Sequence, residues 1–345
     1  MMPFLSYETL CLIWFLLLGV LLVGYAILDG FDLGVGSLHF LARTDRERRI
    51  FMNSIGPLWD GNEVWLVTFG GAMFAAFPHV YATVFSGFYL AFMALLFALI
   101  LRAVSMEFRS KQSWWLWRRG WDAAFFFGST LATFLFGIAV GNVMIGMPLD
   151  EFKDFAGSFG DLLGFYPLLV GVLALSMFAM HGSIFLYLKT EGELQQRLHP
   201  WMWRTFFAFL AIYLLTTLYT LTNVTTAIEN FDTAWWAWGV VVLNVLAIAN
   251  IPRAIYQHRP LYAFISSSCT IAAMVFLFGA ALYPNLVANS LDPDASLTIY
   301  NAASSRTTLE IMLVIAVLGM PVVISYTIAI YWIFRGKTRL GEHSY

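Results

Sequence analysis

Long apolar stretches recur along the chain and are separated by short polar connections. Each stretch is close to or longer than the ~20 residues that an α-helix needs to cross ~30 Å of hydrocarbon. The pattern therefore predicts nine membrane-spanning helices in a single integral membrane domain over residues 1–345. The predicted spans are approximately Leu10–Phe40, Asn53–Phe77, Tyr81–Leu101, Trp121–Ile145, Leu162–Leu188, Thr205–Leu221, Ala234–Ile251, Leu261–Leu282 and Leu309–Phe334.

Composition and the distribution of charge agree with this class. The chain is 60% hydrophobic and 12% charged, and its mean hydropathy is +0.74, so it has too few charges to cover a soluble globule of this length. No cleavable signal peptide is expected, because residues 1–10 carry no Lys or Arg. Of the 19 Lys and Arg residues, only Lys153 and Arg306 fall outside the C-terminal tail and alternate connections. The positive-inside rule then predicts an external N-terminus, a cytoplasmic C-terminus and an odd number of spans.

Three carboxylates lie within the first two predicted spans at matching depth. Asp32 lies 11 residues before Arg43, and Asp60 lies 11 residues after Arg49. With helix on both sides, each would stand about 16 Å from the connecting loop. Asp29 precedes Asp32 by three residues, so the two share one helix face. A charge near the bilayer centre costs on the order of 2.5–3.5 kcal/mol, so such groups usually face a cavity, a partner or a proton path.

Two interpretations of these carboxylates remain open at this point. Neighbouring carboxylates out of water can hold a proton and pass it on, which favours a proton or ion path. Alternatively, hydrogen bonds or a partner's Lys or Arg could satisfy each carboxylate, leaving a purely structural role. Glu63, one turn beyond Asp60, could extend a path or serve as a local partner. A proton-coupled secondary transporter would also use Asp29, Asp32 and Asp60, although Gly and Pro interruptions are few and unpaired.

Candidate cofactor ligands are sparse. Among the six histidines, only His181 lies clearly within a predicted span, so no facing pair for a bis-histidine haem is predicted. A lone His181 on an apolar helix is typical of a hydrogen-bonded core residue. Cys11 and Cys269 have no metal-ligand spacing, and the chain contains no P-loop and no zinc-protease motif. The residues therefore predict a polytopic protein that binds no cofactor or metal of its own.

Several motifs carry a resemblance to subunit II of the cytochrome bd quinol oxidases. The run Gly24–Gly36 contains Asp29-Gly30-Phe31-Asp32, and the run 59–66 opens with Trp59-Asp60-Gly61-Asn62. Both resemble corresponding segments of that family. Further matches are Glu47-Arg48-Arg49, Asn53-Ser54-Ile55, Phe85-Ser86-Gly87-Phe88-Tyr89, Phe108-Arg109-Ser110-Lys111, Gly141-Asn142, Leu297-Thr298 and Ala303-Ser304-Ser305.

The resemblance implies an all-α polytopic subunit with two four-helix bundles and one peripheral helix, in the bacterial inner membrane. It implies a respiratory-chain heterodimer that oxidises quinol, reduces oxygen to water and builds a proton gradient without pumping. In that family, haem-bearing subunit I carries the b haems, a d-type (or further b) haem and the quinol site, so no catalytic residue is expected here. A small single-span accessory subunit and a structural quinone remain open, and no nucleic acid partner is expected.

The resemblance also suggests roles for individual residues. Proton-path residues of the family correspond to Asp29 and Asp60, and Asp32 joins them as the neighbour of Asp29. Glu107 stands where other members have a carboxylate near the inner end of the third helix, and Trp65 corresponds to the tryptophan that borders the oxygen path. The short connection from residue 223 to residue 233 resembles the cyanide-insensitive branch.

Overall fold

The computed structural model describes residues 5–224, 228, 230–231 and 236–341. Within these residues the chain forms eleven α-helices and a two-stranded antiparallel sheet, β1 (Asn285–Val287) with β2 (Leu297–Thr298). The helices are α1 (Tyr7–Ser37), α2 (Asp45–Ile55), α3 (Trp59–Ala76), α4 (Pro78–Gly87), α5 (Tyr89–Phe108), α6 (Trp115–Ile145), α7 (Phe165–Lys189), α8 (Gly192–Asn223), α9 (Ala237–Tyr256), α10 (Pro260–Leu282) and α11 (Arg306–Ile333).

Eight helices in the described part of the chain are long and apolar enough to cross a membrane: α1 and α5 through α11. The all-α polytopic fold is therefore confirmed, whereas the predicted count of nine is not. The predicted span 53–77 runs across α2 and α3, which separate after Ile55, and α3 carries Asp60 and Glu63 in its first two turns. These charges lower its mean hydropathy, so α3 is not among the eight. Residues 234 and 235 of the predicted seventh span lie outside the described residues.

The apolar pattern also concealed a break before α5. The predicted span 81–101 crosses Phe88, where α4 ends and α5 begins. Pro78 lies in the first turn of α4, where its missing N–H needs no helical partner. Because most residues from 80 to 100 are apolar, hydropathy alone gives no sign that one helix ends and another begins at Phe88.

Nine of the eleven helices pack as two groups of four with one helix, α11, at the periphery. In the first group α1 contacts α3 and α6, and α6 contacts α5. In the second group α7 contacts α8 and α10, and α9 contacts both α8 and α10. The groups meet where α6 and α1 pack on α7 and where α1 packs on α10. This central position of α1 keeps one of its faces away from lipid.

Two glycines allow α1 and α7 to approach backbone to backbone. A Cβ atom on Gly34 would overlap the carbonyl oxygen of Phe178, and one on Gly182 would lie 2.5 Å from the Gly34 carbonyl carbon. Small residues at such a crossing permit close van der Waals packing between helices in lipid. The contact encloses the α1 segment from Asp29 to Gly36, all of which is buried.

Helix α11 is held mainly near its two ends. Its buried residues are confined to the first turns, where the Trp14 indole N–H donates to the carbonyl oxygen of Leu309 at 3.1 Å. At the other end, the Lys189 ammonium donates to the carbonyl oxygen of Phe334. The backbone N–H of Thr338 donates to the carbonyl oxygen of Lys189 at 2.8 Å. Most of the helix between these ends is exposed on this chain.

Candidate functional site

A single arginine of α5 lies against both aspartates of α1. The Arg102 Nη1 donates to Asp29 Oδ2 at 2.9 Å and Nη2 donates to Asp29 Oδ1 at 2.5 Å, which makes a bidentate pair. The same Nη2 lies 3.9 Å from Asp32 Oδ2. All three side chains are fully buried. The three-residue spacing does place Asp29 and Asp32 together, as predicted, but no feature of the sequence identified Arg102 as their partner.

A second chain of hydrogen bonds reaches Asp32 from α3 and α11. The Asn62 Nδ2 donates to Asp32 Oδ2 at 2.7 Å and to the carbonyl oxygen of Leu28 at 3.2 Å. The Tyr331 hydroxyl donates to Asn62 Oδ1 at 2.8 Å. We refer to Asp29, Asp32, Asn62, Arg102 and Tyr331 as the Asp29 cluster. It joins α1, α3, α5 and α11 within the membrane-spanning part of the chain.

Three buried polar atoms around the Asp29 cluster make no hydrogen bond to any described residue. They are Asp32 Oδ1, Arg102 Nε and the Tyr25 hydroxyl. Most buried polar atoms in proteins are paired, and ordered water commonly supplies the missing partner. Chemically, the cluster holds two carboxylates against one guanidinium. Unpaired oxygens beside a surplus of carboxylate suit the binding and release of a proton.

The other predicted site residues lie on the surface of this chain. Asp60 is exposed at the start of α3, and Glu107 is exposed near the end of α5. Trp65 is half-buried, and its ring packs so closely on α1 that a Cβ atom on Gly24 would overlap it. The structure therefore brings Asp29 and Asp32 together but leaves Asp60 and Glu107 outside their hydrogen-bonded cluster. Glu63, half-buried on α3, lies close enough to interact electrostatically with Arg102 and Asp29.

A second buried ionic cluster joins the ends of α1, α5 and α6 with α2. Asp122 is fully buried; its Oδ1 lies 2.6 Å from both His39 Nε2 and Arg109 Nε, and its Oδ2 accepts from Arg48 at 2.9 Å. Arg109 also donates to Asp45 Oδ1 at 2.8 Å. We refer to these five residues as the Asp122 cluster. Sequence reasoning missed it because Arg48 and Arg109 lie in connections whose positive charge already had a topological explanation, and His39 and Asp122 lie at the very ends of predicted spans.

The start of α2, just before Arg48, is held by a capping box and by an ion pair. Thr44 and Glu47 form a reciprocal capping box, which satisfies backbone N–H groups that have no helical partner. Glu47 also accepts a hydrogen bond from Arg197 at 2.7 Å. Partial burial acts to raise the Glu47 pKa, but the contacts with Arg197 and with the N–H groups of Arg43 and Thr44 outweigh it and lower the pKa.

His181 is a hydrogen-bonded core residue, as its isolated position predicted. Its Nε2 donates to the carbonyl oxygen of Ile27 at 3.1 Å, its Nδ1 lies 2.7 Å from the Ser267 hydroxyl, and its ring stacks on Phe264 with centroids 4.6 Å apart. Because the carbonyl can only accept, the proton lies on Nε2. Within the described residues, no group of three or more His, Cys, Asp or Glu side chains is arranged to hold a metal ion.

Comparisons with known proteins agree over nearly the whole chain. A family model described as cytochrome bd terminal oxidase subunit II matches residues 10–334. The chain is 36% identical to cytochrome bd-I ubiquinol oxidase subunit 2 of Escherichia coli (strain K12), with 96% of each covered. It is 35% identical to cytochrome bd ubiquinol oxidase subunit 2 of Bacillus subtilis (strain 168), covering 96% of this chain and 97% of that protein. A chain of the bd oxidase from Geobacillus thermodenitrificans has the same fold, with a TM-score of 0.80 at 20% identity, covering 94% of this chain and 98% of that one.

Proposed function

Because the chain belongs to the cytochrome bd terminal oxidase subunit II family, we propose that its Asp29 cluster is part of the proton route of a bd-type quinol oxidase. The chain is a subunit of that oxidoreductase, which couples quinol oxidation to the reduction of oxygen to water. Family membership supports this function rather than that of a proton-coupled transporter. The complex contains haem and a partner subunit I, and the protein is a multi-pass protein of the bacterial inner membrane.

We assign the haems to subunit I rather than to this chain. The argument rests on His181, whose two ring nitrogens both have partners within the protein. To ligate iron, this imidazole would have to give up one of those contacts. Quinol and oxygen are then substrates of the complex through subunit I, with this chain supplying access routes. A small accessory subunit and a structural quinone would be additional components of the assembly.

We assign the N-terminus to the periplasm and the C-terminus to the cytoplasm. Arg48 and Arg109 meet in the Asp122 cluster, so the basic connections after α1 and α5 lie at the same end of the molecule. The C-terminal segment lies against the last turn of α7, since Lys337 Nζ donates to the carbonyl oxygen of Leu188 at 2.9 Å. The positive-inside rule makes the end that carries the basic connections cytoplasmic.

One observation carries the proton assignment: two fully buried carboxylates share one arginine. Arg102 makes both of its short contacts with Asp29, so that pair is close to electrically neutral. Asp32 is the surplus carboxylate, and one of its oxygens has no partner among the described residues. An uncompensated buried charge is expensive, and binding a proton removes it. We therefore expect Asp32 to take up and release the transferred proton, while Asp29 holds Arg102 in place.

The exposed residues supply the approach to this cluster. Asp60 and Glu107 lie on the surfaces of α3 and α5, where a partner subunit could cover them and water could connect them to Asp32. A carboxylate chain suits protons because each step passes between groups of similar affinity. Trp65 borders an apolar part of α3 that includes exposed Val64 and Val67, and such a lining suits oxygen, which needs no hydrogen-bond partner. Trp65 is accordingly proposed to border the oxygen route.

The test is a set of Asp→Asn variants in the purified, haem-containing complex, reconstituted in liposomes. Asp32→Asn and Asp60→Asn are expected to keep normal haem content but to slow oxygen consumption and proton uptake by at least about tenfold. Asp294→Asn, in the exposed loop between β1 and β2, serves as the control with unchanged rates. Intact assembly with unchanged turnover would remove that aspartate from the route. Loss of the complex from Asp60→Asn would instead indicate that Asp60 holds the partner.

A further inference from the structure

The peripheral helix contributes one polar contact to the Asp29 cluster. Tyr331 is 26 residues into α11, and its hydroxyl meets the Asn62 side chain at 2.8 Å. Its ring also lies edge-on to Phe31, with centroids 6.4 Å apart, so the hydroxyl is aimed by packing on α1. Asn62 in turn contacts Asp32. A helix that is otherwise mostly exposed therefore connects to a fully buried carboxylate through a single amide.

The donor and acceptor of each hydrogen bond between Tyr331, Asn62 and Asp32 follow from the chemistry of the groups. The carbonyl oxygen of Leu28 can only accept, so the Asn62 atom facing it must be the NH₂ group. That group also faces Asp32 Oδ2 at 2.7 Å, which leaves the amide oxygen of Asn62 for Tyr331. The tyrosine hydroxyl must donate to this oxygen. The reversed amide would set an oxygen against the carboxylate and lose the Leu28 contact.

We infer that Tyr331 is a positioning residue for Asp32, acting through Asn62. By accepting from Tyr331, the amide keeps its NH₂ group toward Asp32, and a donor held against a carboxylate favours the ionised form over the protonated one. The peripheral helix thereby helps to set how tightly Asp32 binds its proton. The relevance of this effect to turnover rests on the proposed function of Asp32 in the proton route; the positioning itself does not.

Other charged and titratable groups also lie near Asp32, on several of the neighbouring helices. Asp29 lies on α1, Glu63 on α3 and Arg102 on α5, and each interacts electrostatically with Asp32. His181 of α7 lies behind Phe31, with ring centroids 6.0 Å apart. From α11 the group is Tyr331 itself. All except Tyr331 are unchanged when its hydroxyl is removed, so their effects cancel in a comparison of Tyr331→Phe with the parent complex.

The experiment uses the intact oxidase complex carrying Tyr331→Phe and follows two readouts across pH. The first is the infrared carbonyl band of protonated carboxyl groups, with the Asp32 part identified by its loss in Asp32→Asn. The second is the pH profile of oxygen consumption. Removing the hydroxyl is expected to move the midpoint of the Asp32 band upward by about 0.5 pH units or more, with the alkaline limb of turnover moving in the same direction. Tyr326→Phe, on the exposed part of the same helix, should leave both midpoints in place.

A further variant protects the test against simple loss of packing. Asn62→Leu removes the donor to Asp32 altogether, so its band should move upward at least as far as that of Tyr331→Phe. An Asp32 midpoint in Tyr331→Phe equal to that in Tyr326→Phe would overturn the inference, as would the absence of any Asp32-dependent band. A band that shifts while the turnover profile stays unchanged would uphold the positioning and instead contradict the role of Asp32 in the proton route.

Discussion

The Asp29 and Asp122 clusters differ in how many carboxylates and guanidinium groups they hold. In the Asp29 cluster two fully buried carboxylates share one guanidinium, whereas in the Asp122 cluster one fully buried carboxylate receives hydrogen bonds from two guanidinium groups and contacts a histidine. The first joins helices inside the membrane-spanning part, and the second ties three helix ends to α2. The Asp29 cluster therefore holds one carboxylate more than it has guanidinium groups, whereas in the Asp122 cluster the carboxylates of Asp45 and Asp122 equal the guanidinium groups of Arg48 and Arg109 in number.

This difference in charge balance decides what each cluster can do. A carboxylate that loses its cation can bind a proton and become neutral at moderate cost. An arginine that loses its anion cannot respond in the same way, because its guanidinium keeps its proton in proteins. The Asp29 cluster can therefore change its charge by binding a proton, while the Asp122 cluster is suited to holding helix ends together. The following three changes test this distinction.

Replacing Asp122 should have the largest effect. Asp122→Ala leaves the buried Arg109 guanidinium and His39 without their shared acceptor, and breaking a buried pair in this way typically costs about 3–5 kcal/mol. We expect a large loss of stability and poor recovery of the assembled complex. Unfolding of the purified complex with a denaturing detergent measures it, with the exposed Asp294→Ala as control, expected within about 0.5 kcal/mol of the parent. A loss below about 1 kcal/mol would contradict the structural role of Asp122.

Replacing Arg102 should have a smaller effect that depends on pH. In Arg102→Met the carboxylates of Asp29 and Asp32 lose their cation but can bind protons instead, so we expect a loss of about 2 kcal/mol near neutral pH. Because protonation removes the buried charge, the variant should regain stability relative to the parent as the pH falls. The same unfolding measurement at several pH values tests this, with exposed Arg119→Met as control. A deficit independent of pH would show that the carboxylates do not adjust.

The smallest effect is expected at Glu47, which lies beside the Asp122 cluster but is partly exposed. Its pKa is lowered in the folded protein, where burial is outweighed by Arg197 and backbone N–H groups. The unfolded chain therefore binds more protons in acid, so the Glu47 contribution is complete above the unfolded pKa and is lost as the pH falls through the folded value. Glu47→Gln should cost roughly 0.2–1 kcal/mol at neutral pH and nothing in strong acid. Exposed Glu151→Gln should show no difference in stability loss between neutral pH and acid. A stability loss of Glu47→Gln that grows toward acid would contradict the lowered pKa of Glu47.

The sequence predicted those parts of the molecule that depend on local spacing. Apolar run length follows the bilayer thickness, and the interval between Asp29 and Asp32 fixes their shared face. Arg102 was not predicted as their partner because it is 73 residues away and lies near the end of an apolar run that resembled a membrane boundary. Asp122 was hidden among residues whose charge already had a topological explanation. The break at Phe88 leaves no trace in hydropathy, since apolar residues continue on both sides.

The order in which the chain is synthesised gives the Tyr331 contact another consequence. Asn62 and Tyr331 are 269 residues apart, so at about 5–20 residues per second the ribosome needs tens of seconds to supply the second residue after the first. During that interval α1, α3 and α5 can assemble around Asp29 and Arg102, but the Asn62 amide oxygen still lacks its donor. The cluster becomes complete only when the last helix has entered the membrane. A chain that stops before α11 therefore lacks the hydrogen bond from Tyr331 to Asn62.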